Sequence, residues 1–333
     1  MKVLKLVCMI LGCFIGAGFI SGREIASYFS AFGSMSYFLI VIAGVVFYLL
    51  LYLFFSLSSK VNSFGDFVKK YFGKFHLIIT ILFLVSLLIV VSSMLAGLMS
   101  LAESIRCNSF LLVFVTLLLC YFAVVGNSQC LTKINIILMP FVIGLVIVVC
   151  GVSINIETVE LNGSLFPLLS SINYVLINIM MLGMFVLEIG GEYSKKQKFW
   201  ATLIVTIVIE MLMLLINHAI IENNLLDYAV PILELAKRKG IIYQYSFSAV
   251  IWCGLFTTLM SNVFVINNYL VKYVKSNKFS IFLILCIALC ISAMGFEFIV
   301  GYVYSIIGIV GLIFLCTVIK KEREIYVKIS RKK

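Results

Sequence analysis

The chain has 333 residues, of which 63% are hydrophobic and 12% are charged, and its mean hydropathy is +1.20. Soluble domains are about 45–50% apolar and about 25% charged, so this composition excludes a soluble globular protein and predicts a chain that crosses a membrane several times. The net charge of +11 would suggest nucleic-acid binding in a soluble protein. Here the basic residues fall in short loops and a tail, so no nucleic-acid partner is expected.

Ten apolar segments are long enough to cross a bilayer as helices. In chain order these predicted spans are residues 3–32, 35–57, 75–102, 110–125, 134–152, 166–187, 199–221, 246–270, 279–294 and 298–319. An amphipathic helix is predicted at 64–72, and a short helix at 230–236, where Pro231 suits the first turn. The tail, 320–333, is basic. The predicted fold is an all-α polytopic membrane protein with a single transmembrane domain.

The first span contains an interruption, whose sequence is Gly16-Ala17-Gly18-Phe19-Ile20-Ser21-Gly22. A segment this rich in glycine, followed directly by Arg23 and Glu24, does not suit a continuous helix that faces lipid. Secondary transporters build substrate and ion sites from such unwound segments near the bilayer midplane. Glycines also allow close helix packing, but packing alone explains neither Ser21 nor the charged pair. We therefore predict a binding site at this break.

Lysine and arginine are distributed unevenly between the two sides of the ten spans. If the N-terminus is cytoplasmic, most of the 25 basic residues fall on the cytoplasmic side. The exceptions are Arg23, Arg106, Lys237, Arg238 and Lys239. This bias predicts that both the N-terminus and the C-terminus are cytoplasmic.

Ten spans divide into two sets of five, residues 1–153 and 165–319. Because five is an odd number, the second set starts on the opposite side of the membrane, as an inverted-topology repeat requires. Such a repeat predicts that the sixth span is interrupted as well. Its polar stretch from Ser170 to Asn178, followed by Gly183, agrees with that prediction.

The motif Gly16-Ala17-Gly18-Phe19-x-Ser21-Gly22-x-Glu24, in the first span of a ten-span chain, resembles the YkvI-type bacterial membrane proteins. These form a branch of the amino acid–polyamine–organocation (APC) superfamily, and the likeness covers nearly the whole chain. It implies the LeuT-like fold of two inverted repeats of five helices, with spans 1 and 6 discontinuous. It also implies a multi-pass protein of the bacterial cell (inner) membrane, whose expected partners are the lipid bilayer and a small-molecule substrate. It predicts no particular protein partner.

By this resemblance, the substrate-binding residues come from the break and from the sixth span: Gly16, Ala17, Gly18, Ser21, Gly22, Asn173, Tyr174 and Asn178. Bare glycine amides at the end of a half-helix favour a carboxylate, and the polar groups of the sixth span suit an ammonium group. The depth of the sixth span holds no charged residue, which argues against a strongly cationic substrate. The expected substrate is an amino acid or a related zwitterion.

For a sodium ion, the resemblance suggests Gly16 and Phe19 together with the hydroxyl groups of Thr257, Thr258 and Ser261. At about 1.5 Å per residue, the eighth span places these hydroxyl groups roughly 17 Å from its outer end, level with the break. Hydroxyl and carbonyl oxygens suit a small, hard cation. The alternative is that the hydroxyl groups bond carbonyls of their own helix. No organic cofactor is expected.

Four charged residues are candidates for gating or coupling: Arg23, Glu24, Glu297 and Glu210. Glu210 lies near the midplane of the seventh span, where a carboxylate is costly and is a functional candidate by default. The alternative is a protonated Glu210 bonded to a neighbouring helix. Arg23 and Glu297 are expected to pair across the outer entrance. The alternative is that Arg23 pairs with Glu24 or extends to the lipid headgroups.

These features predict a secondary-active symporter, coupled to sodium or protons, that works by alternating access. The alternative is a ligand sensor of the same fold that does not transport, similar to the membrane subunits of spore germinant receptors. Such a sensor would need partner proteins, and no domain for docking one is evident. An enzyme is not expected, because the two histidines, His76 and His218, form no evident nucleophile–base pair. The ten cysteines are scattered singly, so they indicate neither a metal site nor disulfides.

Overall fold

A computed structural model describes residues 2–61, 63–151, 165–299 and 303–330, and this part of the chain contains helices and no strand. The α-helices are α1 (Lys2–Phe14), α2 (Ala17–Ile20), α3 (Arg23–Tyr28), α4 (Met35–Ser58), α5 (Phe64–Phe72), α6 (His76–Ser104), α7 (Ser109–Val125), α8 (Asn127–Cys150), α9 (Phe166–Ile189), α10 (Lys195–Glu222), α11 (Pro231–Lys239), α12 (Ile241–Val274), α13 (Asn277–Ser292), α14 (Phe296–Phe298) and α15 (Tyr304–Ser330).

Every predicted span corresponds to a helix or, for the first span, to the series α1, α2 and α3. The others correspond to α4, α6, α7, α8, α9, α10, α12, α13 and α15. The predicted amphipathic helix is α5, and the predicted helix in the longest loop is α11, with Pro231 in its first turn. Several of these helices are long and apolar enough to cross a membrane. The chain is therefore a multi-pass, all-α membrane protein.

Apolar side chains occupy both the interior of the helix bundle and its exposed surface. Helix α12 packs against α6, α8, α13, α11 and α1, while α4 packs against α9 and α10. Large apolar side chains such as Phe110, Phe122 and Ile137 are exposed on outer helices. Exposed apolar surface of this extent would be unfavourable in water, and it suits contact with lipid.

The first span is interrupted where the sequence predicts it. Helix α1 ends at Phe14, α2 is a single turn, and Gly22 separates α2 from α3. Gly22 has a φ of 81°, a left-handed conformation that glycine adopts without steric cost. The break thus depends on a residue without a side chain.

The sixth span departs from the prediction, because α9 runs without interruption from Phe166 to Ile189. Asn178 donates from Nδ2 to the carbonyl oxygen of Tyr174, one turn earlier in the same helix, at 3.0 Å. Gly183 lies against the ring of Phe54 in α4, and a β-carbon there would overlap that ring. The small residue allows close helix packing, and the polar residue bonds its own helix. Neither breaks the helix.

Candidate functional site

The break in the first span is stabilised by its own serine. The hydroxyl of Ser21 donates to the carbonyl oxygen of Gly18 at 3.2 Å and accepts a bond from the backbone N–H of Arg23 at 3.3 Å. Because one side chain bonds both sides of the turn, it satisfies backbone groups that the interrupted helix leaves without partners. Ser21 therefore has a structural role in the break.

Helices α10 and α11 cover the C-terminal side of the break. The backbone N–H of Ile232 in α11 donates to the carbonyl oxygen of Ser21 at 2.9 Å. A β-carbon on Gly22 would lie 3.0 Å from side-chain atoms of Ile220 and Ile232. Arg23 donates from Nη1 to the carbonyl oxygen of Tyr228 at 3.3 Å. Helix α11 is thus joined to the C-terminal half of the broken span.

The expected pair of Arg23 and Glu297 cannot be placed, because the side chain of Glu297 lies outside the described residues. The alternative pair of Arg23 and Glu24 does not occur among the described ion pairs. The side chain of Arg23 is directed towards Tyr228 instead.

Glu24 occupies the centre of the break. Its side chain is buried and lies against Gly18, so that a β-carbon on Gly18 would overlap the carboxyl group. The hydroxyl of Tyr174 in α9 lies beside the same carboxyl group. Gly18 is therefore needed to make room for Glu24.

Tyr174 is a sixth-span residue that contacts the C-terminal half of the first span. Its ring centroid lies 5.5 Å from that of Tyr28 and 5.2 Å from that of Phe29. Its hydroxyl is buried and interacts with the carboxyl group of Glu24. Asn173 lies elsewhere, because its side chain packs against Gly308 of α15. Of the three residues predicted on this span, the structure places Tyr174 at the break.

Helix α12 meets the N-terminal end of the break through Thr258. The hydroxyl of Thr258 donates to the carbonyl oxygen of Gly12 at 3.4 Å, and a β-carbon on Gly16 would lie 3.4 Å from the same hydroxyl oxygen. Thr257 instead donates to the carbonyl oxygen of Gly254 at 3.2 Å, and Ser261 donates to that of Thr257 at 2.8 Å. Thr257 and Ser261 therefore bond carbonyl groups of their own helix, whereas Thr258 is directed towards α1.

The carbonyl groups nearest to α12 belong to Gly12 and Ile15. A β-carbon on Gly254 would lie 3.1 Å from the carbonyl oxygen of Ile15, so this glycine permits close approach of the two helices. The carbonyl oxygens of Gly16 and Phe19 accept bonds from Ile20 and Gly22 at 3.0 and 3.1 Å. The sequence analysis missed Gly12, Ile15 and Gly254. A glycine three residues before Thr257 was the available signal.

Asn135 of α8 is a further polar neighbour that the sequence analysis missed. Its side chain is fully buried, lies against Gly12 and has no hydrogen-bond partner among the described residues. The described residues contain no group of three or more His, Cys, Asp or Glu side chains that could hold a metal. The oxygen atoms that meet at the crossing of α1 and α12 belong to neutral hydroxyl and carbonyl groups.

Glu210 of α10 lies beside α4. Its half-buried carboxyl group packs against Gly44 of α4. Glu210, Tyr174 and Thr206 line one small cavity of about 10 Å³, which is close to the minimum for a single water molecule.

Two larger cavities are each lined by residues of several helices. One, of about 770 Å³, is lined by the C-terminal end of α6, by α11 and by residues near α14. The other, of about 520 Å³, is lined by α1, α8, α12 and the C-terminal end of α9. The described lining of neither cavity includes a residue of the break.

No protein-family profile matches the chain. The chain is 23% identical over 334 residues to the uncharacterized membrane protein YkvI of Bacillus subtilis (strain 168), covering 96% of this chain and 95% of YkvI. It is 22% identical over 333 residues to the uncharacterized protein YyaD of the same organism, covering 94% of each. The resemblance to YkvI-type membrane proteins is thus confirmed over nearly the full length.

Solved structures share the fold at low identity. The nucleobase-cation-symport-1 transporter Mhp1, closed with bromovinylhydantoin bound, superposes with a TM-score of 0.59 at 13% identity, over 86% of this chain and 70% of Mhp1. A Na⁺-coupled sialic acid symporter, in a substrate-bound outward-open state, gives 0.63 at 13% identity, over 93% of this chain and 76% of the symporter. These are LeuT-fold transporters, and at this identity they establish the fold alone.

Proposed function

We propose that this YkvI-like membrane protein is a secondary-active, cation-coupled symporter of a small solute. The observation that carries the proposal is the crossing of α1 and α12 at the break, where Thr258 bonds Gly12 and Gly254 lies against Ile15. Oxygen donors from an unwound helix and from a neighbouring helix are the arrangement in which secondary transporters hold a coupling cation.

Sodium is the cation that these donors suit best. The groups that would hold it are the carbonyl oxygens of Gly12, Ile15 and Gly254 and the hydroxyl groups of Thr257 and Thr258. All are neutral, and hard cations prefer oxygen ligands. A bound cation would supply positive charge shared by α1 and α12, and so would favour the conformation in which the two helices meet. Proton coupling through Glu210 is the alternative.

The solute site in this proposal is the break itself, from Gly16 to Gly22, with Tyr174 opposite. We expect the two larger cavities to lie on opposite faces of the membrane, as alternating access requires, because the described lining of neither includes a residue of the break. Lys60 and Glu322 form an ion pair, which supports our inference that the loop after α4 and the C-terminal tail share the cytoplasmic side. We place the protein in a bacterial inner membrane, as two inverted halves of five spans.

Purified protein in proteoliposomes tests this proposal. A panel of labelled amino acids, amines and nucleobases should include a solute that accumulates when sodium is high outside and that leaves when the gradient is collapsed. Accumulation driven equally well by a pH gradient in sodium-free buffer would move the coupling to protons. Binding without any flux under either gradient would instead favour the ligand sensor.

A further inference from the structure

We propose that α5 and the beginning of the tail form a binding surface for anionic phospholipid headgroups, and that the carboxylate of Glu322 competes with these lipids. We call this the basic surface. It consists of lysines on α5, on the turns that flank α5 and at the start of the tail: Lys60, Lys69, Lys70, Lys74, Lys320 and Lys321. Lipid binding there is independent of the proposed function, whereas its effect on solute flux rests on that function.

Helix α5 is amphipathic, and its two faces have different neighbours. Its apolar face, which includes Phe64 and Phe67, is buried against aromatic side chains of α6 and α15. Its polar face carries Lys69 and Lys70, both exposed, in the last turn. The acid of this helix, Asp66, lies in the first turn. A helix with lysines on one face and large apolar residues on the other is typical of segments that lie at a membrane surface.

The basic surface lies at the ends of two helices that expose apolar side chains. Lys74 directly precedes Phe75, which is 67% exposed, and Ile78 follows, 59% exposed. Lys320 directly follows Ile319, which is 49% exposed. Exposed apolar side chains of this size suit the lipid interior, and lysines at the ends of spans extend to the headgroups. The change from apolar residue to lysine at both places therefore marks the headgroup level.

Most lysines of the basic surface are not neutralised by a carboxylate of the protein. None of the described ion pairs involves Lys69, Lys74 or Lys320. Lys70 donates to the carbonyl oxygen of Lys60 at 3.1 Å, which leaves its charge in place. Clusters of about four to eight basic residues next to a membrane span attract anionic lipid headgroups. The basic surface has this number of lysines at the required depth.

Glu322 is the acidic residue that contacts the basic surface in this structure. It forms an ion pair with Lys60 and accepts a hydrogen bond from the hydroxyl of Tyr71. The phosphate of a lipid offers negatively charged oxygen acceptors of the same kind to an ammonium group. Since both acceptors need the ammonium group of Lys60, lipid binding and the contact of Glu322 compete.

Helix α5 connects the basic surface to spans that take part in the proposed transport. The backbone N–H of Phe64 donates to the carboxylate of Glu188, at the end of α9, at 3.0 Å. The ring centroid of Phe64 lies 6.4 Å from that of Tyr269 in α12. Near the other end of α5, Phe72 stacks on Phe314 of α15 at 5.3 Å. A lipid that displaces the tail carboxylate therefore loosens a helix that contacts α9 and α12, and we expect it to change the rate at which these spans rearrange.

Native mass spectrometry tests lipid binding, with equal amounts of phosphatidylglycerol and phosphatidylcholine that have the same acyl chains. We expect the purified protein to retain phosphatidylglycerol in preference. Lys69→Gln combined with Lys74→Gln should lower the affinity for phosphatidylglycerol about tenfold or more, because each basic residue near an anionic surface contributes a factor of about five.

Lys195→Gln combined with Lys196→Gln is the matched control, because it removes two exposed lysines at the start of α10. It changes the net charge equally and should have a smaller effect. Unchanged melting temperatures in neutral detergent show that both double variants are folded. No preference for phosphatidylglycerol, or equal losses of affinity in the two double variants, would overturn the assigned surface.

Two further measurements test the competitor and the source of the phosphate. Glu322→Gln should raise the affinity for phosphatidylglycerol about fivefold, because it removes the carboxylate that competes for Lys60. Glu324→Gln makes the same change of charge at an exposed position nearby and should raise the affinity less. Equal effects would refute competition by Glu322. Displacement of the lipid by glycerol phosphate, the soluble headgroup, would overturn the assignment to a membrane lipid.

Proteoliposomes separate this regulation from the proposed function. For a solute from the labelled panel, the initial rate of flux should differ at least about twofold between vesicles with and without phosphatidylglycerol. Lys69→Gln combined with Lys74→Gln should reduce that difference. Lipid binding with an unchanged rate of flux would refute the regulation. Absence of flux in vesicles of every composition would refute the proposed function, and preferential binding of phosphatidylglycerol would still support the basic surface.

Discussion

The backbone N–H of Ile232 and the carbonyl oxygen of Ser21 form a hydrogen bond of 2.9 Å between α11 and the break of the first span. A loop helix is thereby joined to the segment proposed to bind the solute. Movement of α11 away from the bundle would break this bond and uncover Gly22. Opening of the outer side is therefore expected to involve α11 directly.

Ile232→Pro tests this relationship, because proline lacks the N–H group but is tolerated in the first turn of a helix. We expect faster hydrogen exchange of the amides in residues 17–26 and faster release of bound solute. Ile232→Ala is the matched control, since it keeps the N–H group and loses only the side chain. Equal exchange in the two variants would show that the hydrogen bond does not hold the break closed.

Gly18→Ala should displace the side chain of Glu24, because the new β-carbon would overlap its carboxyl group. Overpacking of this kind costs about 1–3 kcal/mol, so the melting temperature should fall and solute-dependent stabilisation should disappear. Gly144→Ala, where a β-carbon meets nothing within 4 Å, should be tolerated. Adding Glu24→Ala to Gly18→Ala should restore the melting temperature without restoring binding. Solute binding that persists in Gly18→Ala would exclude Gly18 from the site.

Local sequence signals predicted most of the fold. Hydrophobic runs near the thickness of a bilayer identified the spans, and the run of glycines around Gly18 identified the break. The continuity of α9 could not be predicted in this way. Asn178 bonds its own helix and Gly183 accommodates the ring of Phe54, and both arrangements depend on how helices pack.

The site was less predictable, because its contacts join distant parts of the chain. Thr258 and Gly12 are 246 positions apart, and nothing local to Gly12 distinguishes it from a packing glycine. The fold of Glu24 back onto Gly18 depends on a turn whose geometry the sequence does not specify. The sequence identified polar and charged residues that are uncommon in membrane spans. The tertiary structure determined which of these residues are in contact.

Thr258→Ala should weaken sodium binding more than Ser261→Ala does. Thr258 is directed towards α1, whereas Ser261 donates to a carbonyl of its own helix. We expect the sodium concentration for half-maximal stabilisation to rise about tenfold, which corresponds to about 1.4 kcal/mol. Thr202→Ala in α10 is the control, because its hydroxyl also bonds within its own helix. An unchanged sodium requirement in Thr258→Ala would contradict the proposed site.

The contact of the tail with the loop after α4 should depend on pH. Partial burial alone would raise the pKa of the Glu322 carboxyl, but its hydrogen bonds with Lys60 and Tyr71 hold that pKa below the usual value. Its contribution to stability is therefore present above the ordinary pKa, about 4.3, and is lost as pH falls through the lowered value. Glu322→Gln should reduce the free energy of unfolding at pH 7 by about 0–1 kcal/mol. The difference should vanish in acid. Glu324→Gln, at an exposed neighbouring position, should show no such dependence.

Gly12 and Asn135 should be coupled energetically, because the side chain of Asn135 fills the space next to the Gly12 α-carbon. Gly12→Ala would overlap the amide group and should destabilise the protein by about 1–3 kcal/mol. Asn135→Ala removes a buried amide that has no partner among the described residues, so its own effect should be smaller. In the double variant the new methyl group would occupy space that the amide has left. The loss of stability should therefore be less than the sum of the two single losses, with a coupling energy of about 0.5–3 kcal/mol.

Thermal unfolding of the unsubstituted protein, the two single variants and the double variant measures this coupling energy. Additive effects would mean that α1 and α8 separate on substitution, and that Asn135 does not fix the position of the carbonyl group that Thr258 bonds.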